Sequence, residues 1–214
     1  MKKHILTFAL TLFYIVFAHG GDPAFIASMQ KQLAARKTIT TYEESQTVIN
    51  GFLRIADASA SEWLPYYYAA LLKTEAAFRF DIDKDKSLDE ALELVTKAAK
   101  IAPENSEITA LHGYIVMGKI SLDPNGRGQT MSPQAIQLFG KAINLDRENP
   151  RAVSLMSQME LGMSKFFGTG PEKACGMARM SLDLYKKEDA KITDEYILPT
   201  WGKMQVDQVV SKCK

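Results

Sequence analysis

The chain of 214 residues repeats a short sequence pattern, and this repetition limits the folds that the chain can adopt. The run from Ser87 to Asn105 carries acids and alanines and ends in Pro103-Glu104-Asn105, and the run from Ser132 to Pro150 repeats its outline. A fainter copy begins at Gly170. Helical units that recur in this way cannot bury their apolar faces alone, so they stack on one another. The repetition therefore predicts a helical scaffold with a continuous surface.

The first 20 residues have the pattern of a processing segment. Lys2 and Lys3 precede an uncharged run from Ile5 to Ala18, and Ala18-His19-Gly20 offers small residues at the positions that a signal peptidase reads. We expect cleavage after Gly20 and a periplasmic or secreted protein. A retained membrane anchor is the alternative, but the run is shorter than the roughly 20 apolar residues of a spanning helix.

The charge composition gives no evidence of a basic surface that would bind nucleic acid or anionic lipid. The full chain has 26 basic and 25 acidic side chains, and loss of Lys2 and Lys3 leaves 24 and 25, a net charge of −1. A chain without a basic block lacks the electrostatic attraction on which phosphate binding depends. We expect no nucleic-acid partner and, after signal cleavage, no membrane partner.

Cys175 and Cys213 are the two cysteines of the chain. In an oxidising compartment they can pair and tie the last helix to the third repeat. Two separate, half-buried thiols remain the alternative, because sequence does not supply the Cα separation that decides closure. After residue 20 the single histidine is His112, so neither a zinc site nor a cofactor is predicted.

Apolar spacing predicts helices along the chain after residue 20, without the sustained alternation that is typical of strands. An inner helix opens near Ser61. The other predicted helices run from Asp22 to Arg36, Thr41 to Ala56, Leu88 to Ala102, Ser106 to Ile120, Pro133 to Leu145, Pro150 to Phe166, Pro171 to Tyr185 and Thr200 to Cys213.

Large and small residues recur at matching places in these helices. They are Trp63, Ala91 and Pro103 in the first pair, Gly113, Ala135 and Phe139 in the second, and Ala174 in the third. Alanine lets helices approach closely, and proline ends the helix before it. The pattern resembles the tetratricopeptide repeat (TPR). This resemblance implies an all-α, right-handed α-solenoid of about three TPR-like hairpins, with an N-terminal helical pair and a C-terminal capping helix whose Trp201 covers the exposed end.

The predicted organisation departs from the usual repeat in its spacing. Its parts are a signal peptide (1–20), a helical pair (21–60), TPR-like repeats (61–186, divided into 61–105, 106–149 and 150–186) and a connecting segment with a capping helix (187–214). The alanines Ala91, Ala135 and Ala174 are separated by 44 and 39 residues, where the repeat usually has about 34. We expect the extra length in turns, around Asp81 to Lys86, Asp123 to Met131 and Phe167 to Gly170.

A closer resemblance rests on short runs spread along the chain. They are Trp63-Leu64-Pro65-Tyr66-Tyr67-Tyr68-Ala69-Ala70, Asp123-Pro124, Arg127-Gly128, Asn149-Pro150-Arg151-Ala152, Phe167-Gly168 and Trp201-Gly202-Lys203. These runs look like those of a group of exported TPR proteins of Gram-negative bacteria that have no settled biochemical activity. The resemblance supports the fold and the exported address, and it implies no catalytic residue.

The inner helices are expected to line a concave groove. Its predicted partner-binding residues are Tyr68, Leu72, Glu107, Tyr114, Met117, Arg151 and Gln158. Aromatic rings flanked by an acid and a base predict non-catalytic binding of a protein or peptide. In the alternative, the C-terminal helix or the N-terminal pair folds into the groove and these residues are ordinary packing. The protein is then a structural subunit that associates through its end helices or convex face.

Two loops resemble ligand sites without completing them. Asp81 to Asp85 begins like a calcium loop, but Lys86 stands where glycine is needed, and a solvated helix cap is the prediction. Asp123 to Gly128 lacks the lysine and hydroxyl residue of a phosphate loop. We expect a turn there, with positive φ at Asn125-Gly126 and with Arg127 reaching back to the helix ends.

No nucleophile stands at a recognisable spacing from a base and an orienting group. His112 falls at a packed position of an inner helix, where a satisfied imidazole is the commoner role. We therefore expect that the protein is not an enzyme, and the activity of a hydrolase is the least favoured function.

Overall fold

The computed structural model describes residues 22–213, so the predicted signal peptide lies outside the described residues. Within that range the chain forms nine α-helices and no β-strand. The helices are α1 (Pro23–Arg36), α2 (Tyr42–Ala58), α3 (Leu64–Arg79), α4 (Lys84–Ile101), α5 (Ser106–Leu122), α6 (Pro124–Leu145), α7 (Pro150–Phe167), α8 (Glu172–Asp189) and α9 (Lys203–Val210). None of these helices combines the length and the apolarity that crossing a membrane requires.

Consecutive helices pair, and the pairs stack in chain order. The hairpins α3–α4, α5–α6 and α7–α8 follow the N-terminal pair α1–α2, and each pair packs on the next through α2 and α3, α4 and α5, and α6 and α7. The short α9 packs on α7 and α8. The all-α solenoid of three TPR-like hairpins is confirmed.

Small residues hold the helices of a hairpin close together. Ala91, Ala135 and Ala174 are at most 1% exposed. A Cβ atom at Gly113 of α5 would lie 2.5 Å from a ring carbon of Phe139 in α6, well inside any real contact. The second hairpin therefore requires glycine at this crossing.

Side-chain caps decide where several helices begin. Thr41 and Glu44 form the predicted capping box at the start of α2. The Asp83 carboxylate accepts a hydrogen bond from the Lys86 amide, so α4 begins at Lys84, four residues before the predicted Leu88. The acidic loop thus acts as a helix cap, as predicted.

The predicted turn from Asp123 to Met131 is wrong, because this segment is the first part of α6. Asp123 caps the Gly126 amide, and Pro124 occupies the first helical position, where its missing N–H costs nothing. Pro133 lies inside the helix and does not begin it. The extra length of the second repeat is therefore helical.

Positive φ angles occur at two glycines outside the segment from Asp123 to Met131. In the part of the chain that the structure describes, they are confined to Gly168 and Gly202. Gly168 ends α7 in the left-handed conformation that favours glycine, which agrees with the predicted turn after Phe167. The prediction of positive φ at Asn125-Gly126 is wrong, because both residues lie in α6.

Arg127 has the clamping role that the sequence predicts. Its guanidinium donates to the carbonyl oxygen of Lys119 near the end of α5 (3.2 Å) and to both carboxylate oxygens of Asp85 in α4 (2.6 and 2.9 Å). This bidentate pair joins the first and second hairpins.

The C-terminal part differs most from prediction. Helix α8 continues to Asp189, and α9 begins at Lys203 instead of Thr200. Residues 190–202, which we call the strap, form no helix. A disulfide between Cys175 of α8 and Cys213 ties the end of the chain back to the third hairpin.

Replacement of Gly113 tests the close packing in the second hairpin. We expect Gly113→Ala to lower the free energy of unfolding by about 1–3 kcal/mol, because the new methyl group meets the fully buried Phe139 ring. Urea unfolding followed by circular dichroism measures the change.

Gly140→Ala is the matched control on the same pair of helices. A Cβ atom there meets nothing within 4 Å, so alanine should leave stability unchanged or raise it by about 0.5–1 kcal/mol through its helix propensity. Equal effects of the two substitutions would contradict the packing argument.

Candidate ligand-binding cleft

Tyrosines of the solenoid hold the strap against the concave side. Tyr68 donates a hydrogen bond to the carbonyl oxygen of Ile197 (2.9 Å), and Tyr185 donates to that of Trp201 (3.0 Å). The indole N–H of Trp201 donates to the hydroxyl of Tyr67 (2.8 Å). Three tyrosines from α3 and α8 thereby fix the course of the strap.

Trp201 fills the concave groove. Its ring stacks on Tyr114 of α5, with centroids 5.4 Å apart, and the residue is 8% exposed. The sequence predicted that Trp201 would cover an exposed end together with residues of the last helix. Trp201 instead contacts Tyr67 of α3 and Tyr114 of α5, whereas Val206 and Val209 of α9 pack on the third hairpin. At the other end of the strap, Gln30 of α1 donates to the carbonyl oxygen of Asp194 (2.6 Å).

A buried ion triad lies under the strap. Arg151, at the start of α7 and 3% exposed, donates to both carboxylate oxygens of Glu107 (2.7 and 2.8 Å) and to both of Glu188. Burial by itself lowers the pKa of Arg151, but the two carboxylates outweigh it and raise the pKa well above its ordinary value. The guanidinium therefore stays charged and joins α5, α7 and α8.

Four of the predicted groove residues lie at the strap or at the triad: Tyr68 and Tyr114 contact the strap, and Arg151 binds Glu107. Tyr68, Leu72 and Arg151 are buried. The other four are half-buried: Glu107, Tyr114, Met117 and Gln158. The segment found here is the non-helical strap, and not the C-terminal helix or the N-terminal pair of the alternative. Partner binding by these seven residues stays a prediction.

The strap leaves a cleft of about 500 Å³ beside the triad, near the first residues of α5 and α7. Trp63, Tyr196 and Leu198 line its apolar part, and Leu198 is 44% exposed. The Arg151–Glu107–Glu188 triad lines its polar part. We call this space the cleft.

Two lysines stand at the cleft. Lys187 and Lys191 are exposed and lie 3.3 and 3.8 Å from the carboxylate of Glu148. Burial, followed by the charge of Glu188, raises the pKa of Tyr196, so its phenol is neutral at physiological pH. The lining also holds five carboxylates, those of Glu104, Glu107, Asp146, Glu148 and Glu188. Aromatic rings, a neutral hydroxyl and two exposed ammonium groups suit the noncovalent binding of a flat molecule whose anionic groups take the place of Glu148 at the lysines.

His112 lies away from the cleft. It is half-buried on α5, is absent from the cleft lining, and has its pKa lowered by burial. Within residues 22–213, no group of three or more histidine, cysteine, aspartate or glutamate side chains is arranged to hold a metal ion.

No protein-family model matches the sequence, and no curated protein matches it. Several solved structures are similar to it. The haemophore HusA from Porphyromonas gingivalis has a TM-score of 0.77 and 29% identity, over 91% of this chain and 95% of that chain. The TPR protein TTC0263 from Thermus thermophilus has a TM-score of 0.58 and 12% identity, over 90% and 84%.

The fold is TPR-like. The likeness to TTC0263 establishes the architecture alone, because the identity is low. The likeness to HusA extends over nearly all of both chains at a higher identity. Neither neighbour is described as an enzyme.

Among the cleft residues that sequence reasoning did not single out are Glu188 of the triad, Lys187, Lys191, Tyr196 and Leu198. They lie at the end of α8 and in the strap, where the sequence is polar and loosely patterned. The available signal was Trp201, a large aromatic residue just beyond this polar stretch. Its partner Tyr67 lies 134 residues away, and no local period reports such a contact.

Removal of the cation tests the ion triad. We expect Arg151→Leu to lower the free energy of unfolding by about 3–5 kcal/mol, because it removes the cation from the buried Glu188 and the half-buried Glu107 and leaves Glu107 with Tyr67 as its side-chain donor. The triple variant with Glu107→Gln and Glu188→Gln should recover most of this loss. Urea unfolding of both variants measures it, and a single variant as stable as the triple would contradict the role of Arg151.

Alkaline titration tests the burial of the tyrosines. Burial, with the charge of Glu75, raises the pKa of Tyr114 to about 12, and burial raises the pKa values of Tyr67, Tyr68 and Tyr185. Because these values lie above the unfolded value of about 10, the stability that they contribute is complete below pH 10 and is lost as the pH rises toward 12.

Tyrosinate absorbance measures this titration. In the folded protein we expect these four tyrosines to ionise late, together with unfolding, and in denaturant all tyrosines should ionise near pH 10. Ionisation of every tyrosine near pH 10 while the helical signal persists would contradict the filled groove.

Proposed function

We propose that this protein is an exported, non-catalytic binding protein whose ligand is a flat, anionic tetrapyrrole of the haem class. The observation that carries the proposal is the likeness to the haemophore HusA over 91% of this chain and 95% of that one, at 29% identity. The TPR-like fold supports a binding scaffold in general, and this neighbour supports the ligand class.

The cleft fits such a ligand. Its volume of about 500 Å³ falls within the range of ordinary ligand pockets. Trp63 and Tyr196 offer rings on which a macrocycle stacks, and Leu198 extends the apolar wall. Lys187 and Lys191 can exchange their pairing with Glu148 for the carboxylates of the ligand.

Two observations support an exported address. The first 20 residues have the pattern of a signal peptide. The disulfide between Cys175 and Cys213 suits an oxidising compartment, because such bonds are rare in the cytosol. The periplasm or the cell exterior is the location that we propose.

A protein or peptide partner is the second candidate. While the strap lies in place, the concave groove is closed to a partner that needs Tyr68 or Arg151. Phe166 and Phe167, which are 69% and 70% exposed at the end of α7, favour a contact outside the groove.

Titration with haemin, followed by its Soret absorbance, tests the proposed ligand. We expect saturable binding, and we expect Lys187→Gln with Lys191→Gln to weaken it about 3–10-fold through the loss of two exposed ion pairs. Iron-free protoporphyrin should retain most of the affinity if stacking and charge dominate.

The matched control carries Lys100→Gln and Lys141→Gln, two exposed lysines that are not part of the cleft. This variant should bind haemin like the wild type. Absence of saturable binding, or an equal loss in both double variants, would overturn the proposed site.

A further inference from the structure

A second cavity, of about 340 Å³, lies between the link joining α1 to α2, the C-terminal half of α3 and Gln205 of α9. It shares no lining residue with the cleft. A ligand here is therefore independent of the tetrapyrrole proposed for the cleft. We call this space the arginine cavity.

The arginine cavity has an excess of positive charge. Arg36 and Arg79 line it, and Glu75 is the single acidic residue among its described lining. Arg36 donates one hydrogen bond to Glu75 (2.6 Å), and Arg79 donates to the carbonyl oxygen of Ile39. Two guanidinium groups thus face one carboxylate, and an anionic group would balance the second charge.

One hydrogen-bond donor of Arg36 has no acceptor. The Nε–H group of Arg36 is inaccessible to solvent and has no hydrogen-bond partner among the described residues. A buried N–H that is left unpaired destabilises the folded state, and turning the Arg36 side chain toward an acceptor in the cavity would remove this penalty. The Nε edge of a guanidinium is suited to the two oxygens of a carboxylate.

The remaining walls combine four apolar side chains with the polar Ser45 and Gln205. Ile39, Leu72, Ala76 and Phe80 line the cavity, and Leu72 is 3% exposed. The Arg79 guanidinium lies over the Phe80 ring, 5.4 Å from its centroid, which keeps this charge beside the apolar wall. A bare inorganic anion would leave these walls without a partner, so the fitting ligand has an apolar stem.

The geometry points to a binding site for a small amphipathic carboxylate in the arginine cavity. The stem lies against Leu72 and Phe80, and the carboxylate accepts hydrogen bonds from Arg79 and from Arg36, whose Nε–H comes within reach once its side chain turns away from Glu75. Glu75 competes with the ligand for Arg36, so its charge limits the affinity.

Isothermal titration calorimetry with octanoate tests this site, with octan-1-ol as the neutral comparator of equal chain length. We expect octanoate to bind at least about tenfold more tightly than the alcohol. Arg79→Gln should weaken octanoate binding, and Glu75→Gln should strengthen it, because Arg36 is then free for the ligand. A gain of affinity in the Glu75 variant cannot come from misfolding.

Arg54→Gln, which alters an exposed arginine of α2 outside the cavity, is the matched control and should bind octanoate like the wild type. The Lys187→Gln, Lys191→Gln variant should also leave octanoate binding unchanged. Equal binding of acid and alcohol, no gain from Glu75→Gln, or loss of octanoate binding in the lysine variant would each overturn this inference. Haemin binding is measured separately, so the failure of one site is distinguishable from failure of the other.

Discussion

Arg151 lies where three helices and the strap meet, and the arrangement of the concave side depends on it. A guanidinium that is 3% exposed costs much desolvation energy, which the carboxylates of Glu107 and Glu188 offset only when α5, α7 and α8 stand in one relative position. The strap covers this triad, and its tyrosine contacts are made on either side of it. The ion triad therefore specifies how the second and third hairpins stack, besides any stability that it adds.

The strap covers the TPR-like groove beside the triad. It follows α8 at one end and continues into α9 at the other, and the disulfide between Cys175 and Cys213 closes a loop of 38 residues that contains both the strap and α9. In the chain-entropy model such a loop is worth about 4 kcal/mol. With Trp201 seated between Tyr67 and Tyr114, the strap forms one wall of the cleft beside the triad. The arginine cavity has no strap residue in its lining and is closed by Gln205 of α9 instead.

The predictions that succeeded rest on local contacts. The Thr41–Glu44 capping box joins residues three apart, and the helical periodicity joins residues three and four apart, so both can be read directly. The start predicted for α6, at Pro133, was wrong because the succession of aspartate, proline, asparagine and glycine from Asp123 is typical of a turn as well as of a capped helix. The repeats predicted which residues share the concave side, but Lys187, Lys191 and Tyr196 of the cleft have no periodic signal.

The sequence by itself determined the helical repeats, most of their boundaries and the small residues at their crossings, since these follow from propensity, capping and spacing within a few residues. Only the tertiary structure decided what fills the groove. The hydrogen bond from Trp201 to Tyr67 spans 134 residues of sequence, and that from Tyr68 to Ile197 spans 129. Such contacts form because stacked hairpins bring distant side chains together, and the burial that favours them exists only after the hairpins have stacked.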